Sequence, residues 1–449
     1  MRLLNPAARI IDAATGAVVT DLVRPEIFDG VPPGVVFLRM PTTVDSVAAY
    51  VTAFELGRPV ALLDPGLADE TLLEFIDRFE PAAVLGPLPD EPAKGYAALN
   101  QAWVRETGPD TAPHPDLAVL LATSGSTGDP KLVRLSRRAL LANAESIVEA
   151  LGITGADVAI SALPFYYSYG MSVLNTHLVA GAALVVEDGG LLGRGFWPAI
   201  DRYRVSSLAL VPSQYDMLVR LRFDSAAHPA LRTLTQAGGR LRPELVREFH
   251  DRMTAVDGRL FVMYGQTEAA PRLTTLPADR LGEKPGSVGP AVPGGRLSIR
   301  LGDGTETTEP NLVGEVLYRG PNVMLGYAET AADLARGDDH GGLLVTGDLG
   351  HLDADGYLYL DGRLKRFGKV FGVRLNLDDI ERLLPVPAAA VAGDDRVIVF
   401  ANCTNPVELG HKLAEHLKLH WSGFEVRPVE GLPLLPNGKI DYRALEAMR

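Results

Sequence analysis

A short apolar run, Leu117 to Ala122, opens onto Thr123-Ser124-Gly125-Ser126-Thr127-Gly128-Asp129-Pro130-Lys131, and no other stretch narrows the chain's fold and chemistry as far. Glycines let backbone N–H groups close around phosphate oxygens, hydroxyls add donors, and a lysine three residues past the second glycine adds positive charge. The spacing is G-x-x-G-x-x-K, unlike a Walker A loop with its four residues between the first glycine and Gly-Lys. A polar glycine-rich turn after a strand is also common punctuation between elements. Alone, the loop therefore leaves phosphate binding and a plain turn both open.

The flanking sequence alternates two periods. Val35–Leu38, Pro59–Leu63 and Ala82–Leu85 are apolar runs of strand length. Thr43–Leu56, with Val44, Val47, Val51 and Phe54 in register, and Asp69–Phe79 carry helical spacing. After the loop, Arg137–Leu151 and Met171–Ala180 read as helices. Val158–Ala162, Ala182–Val186, Ser207–Val211 and Leu260–Met263 read as strands, and Gly189–Gly195 is the best candidate for a mobile loop. This βαβα rhythm predicts an α/β fold with a parallel sheet covered by helices. From about Gly286 the rhythm changes to Arg296–Arg300, Gly314–Arg319 and Tyr357–Leu360, a small β-rich subdomain. A boundary near Asp361–Arg366 leaves a small α+β unit, with helices near Asp378–Leu384 and Pro406–Leu419 around a strand at Arg396–Ala401. The predicted domains are 1–361 and 362–449.

The chain has 449 residues, enough for two or three cores. A net charge of −13 argues against sequence-independent nucleic-acid binding. One cysteine, Cys403, excludes an intramolecular disulfide and a cysteine-rich metal site. His416 and His420 form an H-x-x-x-H pair in a helical stretch, but residue 417 is leucine, so the glutamate of a metalloprotease motif is missing. Pro6, Arg9 and Asp12 interrupt the N-terminal apolar stretch, so no signal peptide is expected there. No apolar run has the length of a membrane span. A cytoplasmic enzyme is the expectation.

Four further motifs carry chemistry. Met263-Tyr264-Gly265-Gln266-Thr267-Glu268 follows a strand; a tyrosine offers a flat face to a nucleobase, and a carboxylate can hold Mg²⁺ against phosphate oxygens. Thr346-Gly347-Asp348-Leu349 reads as a tight turn whose acid can accept both ribose hydroxyls. Gly362-Arg363-Leu364-Lys365-Arg366 continues to Lys369 and Gly372-Val373-Arg374, which sets five basic side chains close together in an acidic protein. A basic surface turn is the plain alternative. Leu435-Pro436-Asn437-Gly438-Lys439-Ile440-Asp441 contains a strong turn signal that would present Lys439 at a loop tip.

In this order the five motifs resemble the adenylate-forming superfamily of acyl-CoA synthetases, luciferases and peptide-synthetase adenylation domains, from about residue 35 to the end. The resemblance implies a large N-terminal domain and a small, rotating C-terminal domain. It implies ATP and Mg²⁺ as cofactors. Thr123, Ser124, Gly125, Ser126, Thr127, Gly128 and Lys131 would cradle the β- and γ-phosphates. Tyr264 would stack on adenine beside Gly265, with Gly238, Gly239 and Arg240 on the other side. Thr267 would touch the α-phosphate and Glu268 would bind the metal. Asp348 and Arg363 would hold the ribose. Lys439 would bridge carboxylate and α-phosphate. Lys365 matches the hinge, and Lys369 with Gly372 would face an acceptor thiol.

The chain departs from the pattern in places. Leu132 follows the loop lysine where glycine is common. In Pro164-Phe165-Tyr166-Tyr167-Ser168-Tyr169-Gly170, Tyr167 replaces a histidine frequent in acyl-CoA synthetases, and no acid is present to hold an α-ammonium. Tyr166, Tyr167, Ser213 and Gly238 are the expected acid-pocket residues, although the tyrosines would serve equally as packing. The expected reaction is activation of a small-molecule carboxylic acid, its identity left open, to an acyl-adenylate, with transfer to CoA or to the phosphopantetheine of a separate acyl carrier protein. Transfer to an amine or another nitrogen nucleophile is the alternative, followed by a nucleotide-binding paralogue without catalysis.

Overall fold

The computed structural model describes residues 2–108, 111–122 and 131–449. The segment Thr123–Gly128, read above as a phosphate loop, lies outside the described residues. The chain divides into two units, Met1–Arg296 with Tyr318–Leu344, and Leu297–Leu317 with Val345–Arg449.

Among the described residues the first unit holds two mainly parallel sheets, in keeping with the α/β expectation. In one, Leu117–Ala122, Val60–Leu63, Val36–Arg39 and Ala83–Leu85 run parallel, and antiparallel strands extend it at both edges. In the other, Arg9–Asp12, Ala183–Val186, Val158–Ile160, Ser207–Leu210, Thr233–Gln236 and Arg259–Gly265 run parallel, and Arg272–Leu276 closes the edge antiparallel to the last. The helices Val44–Glu55 and Ser168–Ala180 pack in an apolar core shared by strands of both sheets. That position explains their composition: Val44–Glu55 is buried on nearly every face, and Tyr50 donates to Asn175 Oδ1 at 2.9 Å to join the two helices. Asp69–Phe79 buries only Leu72, Phe75, Ile76 and Phe79, the single stripe of a surface helix.

One strand escapes the sequence rhythm. Leu132–Ser136 pairs antiparallel with Leu117–Ala122 on one side and with Gly326–Ala328 on the other. Arg134 at the middle of this strand is fully buried, with Asp339 Oδ2 at 2.5 Å and the carbonyl of Tyr327 at 3.2 Å around its guanidinium. A paired arginine thus occupies a core position in a strand.

In the second unit, Leu358–Arg363, Leu343–Leu352, Gly314–Arg319, Arg296–Arg300 and Glu306–Thr307 follow one another in a sheet. Beyond it come the hairpin Phe367–Val370/Val373–Asn376, the helices Leu377–Arg382, Pro406–Leu417 and Tyr442–Ala447, and a sheet of Ala388–Ala392, Val397–Ala401 and Phe424–Pro428. The helical stretch at 406–419 is shorter than expected: Lys418 takes a left-handed conformation (φ +54°), and His420 sits beyond the helix against Trp421. His416 and His420 therefore do not share a helix face. Among the described residues no helix is long and apolar enough to cross a membrane.

Candidate active site

Tyr264 and Gly265 end the strand Arg259–Gly265, where the ladder with Arg272–Leu276 shifts register. A Cβ at Gly265 would lie 2.0 Å from the Pro271 carbonyl oxygen, so only glycine permits this approach. Tyr264 is buried, and Gln266 Nε2 donates to its hydroxyl at 3.2 Å. Thr267 donates to Ser168 Oγ at 3.2 Å. The Glu268 carboxylate accepts from the Tyr327 hydroxyl at 2.8 Å, and its carbonyl accepts from Met324 N at 2.9 Å. Burial and the facing carboxylate push the Tyr327 phenol well above its ordinary value, so it remains the donor.

Lys131 belongs to this place as well. Its ammonium lies 2.5 Å from Glu329 Oε1. Tyr327 and Glu329 are two residues apart on and just past the strand Gly326–Ala328, hence on one face. That strand pairs Tyr327 with Val133 and Ala328 with Leu132. One short strand thus ties the lysine of one motif and the glutamate of another to a common edge. Tyr327 and Glu329 had no sequence signal of their own. Their pairing with Val133 and Lys131, nearly two hundred residues distant in the chain, reveals them.

Gly238 (φ +84°) turns the chain after Thr233–Gln236, and Gln236 Nε2 donates to Gly239 O at 2.6 Å. Arg240 is exposed, and Ser213 is half-buried on the helix Pro212–Arg220. Tyr167 is buried among Leu163, Val211 and Met263, edge-on to Tyr169 at 6.4 Å. Tyr166 is half-buried with its hydroxyl on Asp64. A cavity of about 40 Å³ opens between Arg137–Leu151, Ser168–Ala180 and the strands of the second sheet. It is lined by Tyr169, Thr235, His177 and Arg272 among others, whereas Tyr166, Tyr167, Ser213 and Gly238 lie outside its lining.

In the second unit the segment read as a tight turn, Thr346-Gly347-Asp348-Leu349, is part of the strand Leu343–Leu352. Thr346 Oγ1 donates to Val316 O at 2.8 Å and accepts from Asp348 N, while Leu364 N reaches the Gly347 carbonyl, so the glycine (φ +72°) bends the strand without ending it. Asp348, 5% exposed, stands opposite Arg363 in the ladder and accepts from its Nε at 3.0 Å.

The basic stretch is only partly a surface turn. Arg366 lies beneath it, bonded to Asp378 and, at 2.8 Å, to Glu381 Oε1, with the Tyr442 ring 4.1 Å from its guanidinium carbon. Burial opposes its charge, but Glu381, Tyr442 and Asp378 together hold it well above the ordinary arginine value. Lys365 and Lys369 are exposed on either side of this anchor, Lys365 in the turn between strands and Lys369 on the hairpin ahead of Gly372. Near the C-terminus Leu435 N donates to Lys439 O and Lys439 N to Asn437 Oδ1, closing a turn with Pro436, Asn437 and Gly438 (φ +78°) at its tip. Lys439 is therefore half-buried at the closing side of the turn rather than at its tip.

A two-sheet α/β body, a β-rich subdomain and an α+β C-terminal region make up the architecture of the adenylate-forming superfamily. The AMP-binding enzyme family matches residues 29–328, and the chain belongs to it. It is 32% identical over 363 residues to indoleacetate–CoA ligase of Aromatoleum aromaticum, covering 79% of this chain and 64% of that one. It is 27% identical over 479 residues to oxalate–CoA ligase of Arabidopsis thaliana, covering 97% and 91%. Among solved structures, ATP-bound MatB of Rhodopseudomonas palustris aligns with a TM-score of 0.79 at 22% identity, covering 99% of this chain and 96% of that one.

Proposed function

We propose that the chain activates a carboxylic acid with ATP and passes the acyl group to the thiol of CoA. A carboxylate oxygen attacks the α-phosphorus, the bond to the β-phosphate oxygen breaks, and pyrophosphate leaves. The thiolate sulfur then attacks the acyl carbonyl of the adenylate, and AMP leaves. The CoA ligases among the relatives support this reading. The observation that carries it is the edge formed by Lys131, Tyr327 and Glu268, because it brings a cation and a fixed carboxylate from two separate motifs to one place.

Mg²⁺ fits this donor set: Glu268 offers a hard oxygen ligand oriented by Tyr327, and magnesium takes one or two carboxylates together with phosphate oxygens. Bound there, it would neutralise charge on the phosphates. Lys131 and the hydroxyls and glycines of Thr123–Gly128 bind the β- and γ-phosphates. Tyr264, Gly265, Gly239 and Arg240 hold the adenine, and Thr267 the α-phosphate. Asp348 accepts from the ribose hydroxyls, with Arg363 fixing its carboxylate. Tyr166, Tyr167, Ser213 and Gly238 bound the acid.

Residues 1–361 form the core that binds ATP and acid. Residues 362–449 move about Lys365, bringing Lys439 to the reacting carboxylate for the first step and Lys369 toward the acceptor for the second. Lysine suits such a task as a compact charge on a long stem. The enzyme works in the cytoplasm.

Acid-dependent ATP–pyrophosphate exchange tests the first step, and thioester formation with CoA the second. Exchange without thioester would pass the acceptor role to a carrier-protein phosphopantetheine or to an amine. No exchange with any acid, with ATP still bound, would sink the proposal.

A further inference from the structure

Arg134 and Arg272, both in the first unit, have fully buried side chains, and their surroundings differ. Arg134 has Asp339 and backbone carbonyls around its guanidinium. Arg272 is 2% exposed, its Nε has no hydrogen-bond partner, and no carboxylate of the described residues pairs with it. Its main chain is pinned: Arg272 N donates to Asn143 Oδ1 at 3.2 Å, and its carbonyl accepts from Asn143 and Asn322 at 3.0 and 2.9 Å. The guanidinium carbon lies 5.1 Å from the centre of the Tyr169 ring, which offsets part of the burial cost through its π face. An arginine stays charged even when burial lowers its pKa, and a buried charge needs a counter-charge.

The side chain lines the cavity described above, together with Tyr169, Thr235 and His177. Tyr169 and Thr235 share a 2.7 Å hydrogen bond, and burial pushes the Tyr169 phenol up to about 12, so it remains neutral. Burial likewise pushes His177 below its ordinary value, which leaves it neutral. Asp157 also reaches the lining, but Thr154 and Ser206 already donate to its carboxylate. Arg259 adds a second positive charge to the wall. The cavity measures about 40 Å³, and a single water needs roughly 10–15 Å³ of such space. It suits a short polar group and excludes a long acyl chain. It also adjoins the site: Ser168 receives the Thr267 hydroxyl, and the next residue, Tyr169, lines the cavity.

We propose that Arg272 receives a second anionic group at the far end of the activated acid, so that the chain acts on short acids carrying a distal carboxylate or sulfonate. This rests on the acid-activating reading above. A planar guanidinium matches a carboxylate bidentately and discriminates against the neutral isostere, whose binding would leave the arginine unpaired.

The test compares ATP–pyrophosphate exchange for acids that differ only in the distal group: malonate with propionate, succinate with butyrate, and 3-sulfopropionate with butyrate. The dianionic members are expected to give a kcat/KM at least ~100-fold higher, consistent with rejection of analogues that leave a buried polar group unpaired. In Arg272→Met that preference should collapse through KM for the acid, with KM for ATP unchanged. Arg272→Lys, which keeps the charge and loses the fork, should retain part of it. Should Arg272→Met fail to fold, thermal protection of the unmodified protein by malonate or succinate over propionate or butyrate gives the same comparison. Exchange with neutral members as good as with dianionic ones, with no such protection, overturns this proposal alone. Absence of exchange with every acid overturns it together with the acid-activating reading.

Discussion

Tyr327 and Glu268 meet at 2.8 Å across fifty-nine positions of the chain, hydroxyl to carboxylate. The phenol orients an oxygen that would otherwise swing on a long flexible stem. Tyr327→Phe should therefore weaken use of Mg²⁺-ATP, lowering kcat/KM for the nucleotide about tenfold, as expected for one hydrogen bond to a charged group. The acid's KM should not move. A titration of exchange rate against Mg²⁺ checks this; an unchanged Mg²⁺ dependence would remove Tyr327 from the site.

Lys439 is held by its backbone, with the turn tip carried by Pro436, Asn437 and Gly438. Lys439→Ala should cut adenylation by roughly 10²–10³, the usual loss for one charge-stabilising donor. Thioester formation from supplied acyl-AMP should be spared. Equal loss in both assays would contradict the two-step use of the C-terminal region.

Asp348 and Arg363 form a cross-strand pair in which the acid is buried and the arginine half or more exposed. Asp348→Asn keeps the shape and removes the charge. It should raise KM for ATP about tenfold, the order expected for losing a charged acceptor, and leave kcat and KM for the acid alone. Competition by adenosine against 2′-deoxyadenosine reads the effect: the modified protein should no longer distinguish them.

Glu381 supports Arg366 from beneath the basic stretch, and Tyr442 donates to the same carboxylate at 3.1 Å. Glu381→Ala removes one partner of a largely buried pair, at a cost of about 3 kcal/mol, the lower end for buried pairs because both groups keep some exposure. Urea unfolding followed by a probe in the second unit should show it; a change under about 1 kcal/mol would place the pair with surface ion pairs.

Local pattern was legible where one element answers to one period. Arg137–Leu151 has the bounds its spacing predicts, because Ser136 caps it and Gly152 ends it in a left-handed turn. Leu132–Ser136 was not legible. An arginine in its middle and a proline-lysine pair before it obscure a buried strand, and its partner at Gly326–Ala328 is remote. Thr346–Leu349 read as a turn because Gly-Asp usually marks one, but a side-chain bond to Val316 keeps it in the ladder. Arg272 carries no signal at all, since arginine is ordinarily a surface residue and only packing reveals its burial. The motif residues were readable as types; Tyr327 and Glu329, which position two of them, were not.

The pairing of Arg134 with Asp339 also sets an order on synthesis. A ribosome delivers Leu132–Ser136 long before Gly326–Ala328 or Asp339 exists. During that interval the nascent strand has an open edge and a cation with no counter-charge to bury it. The sheet that holds Leu132–Ser136 can close only after most of the chain has emerged, which makes it a late event and exposes the early product to chaperones or to aggregation.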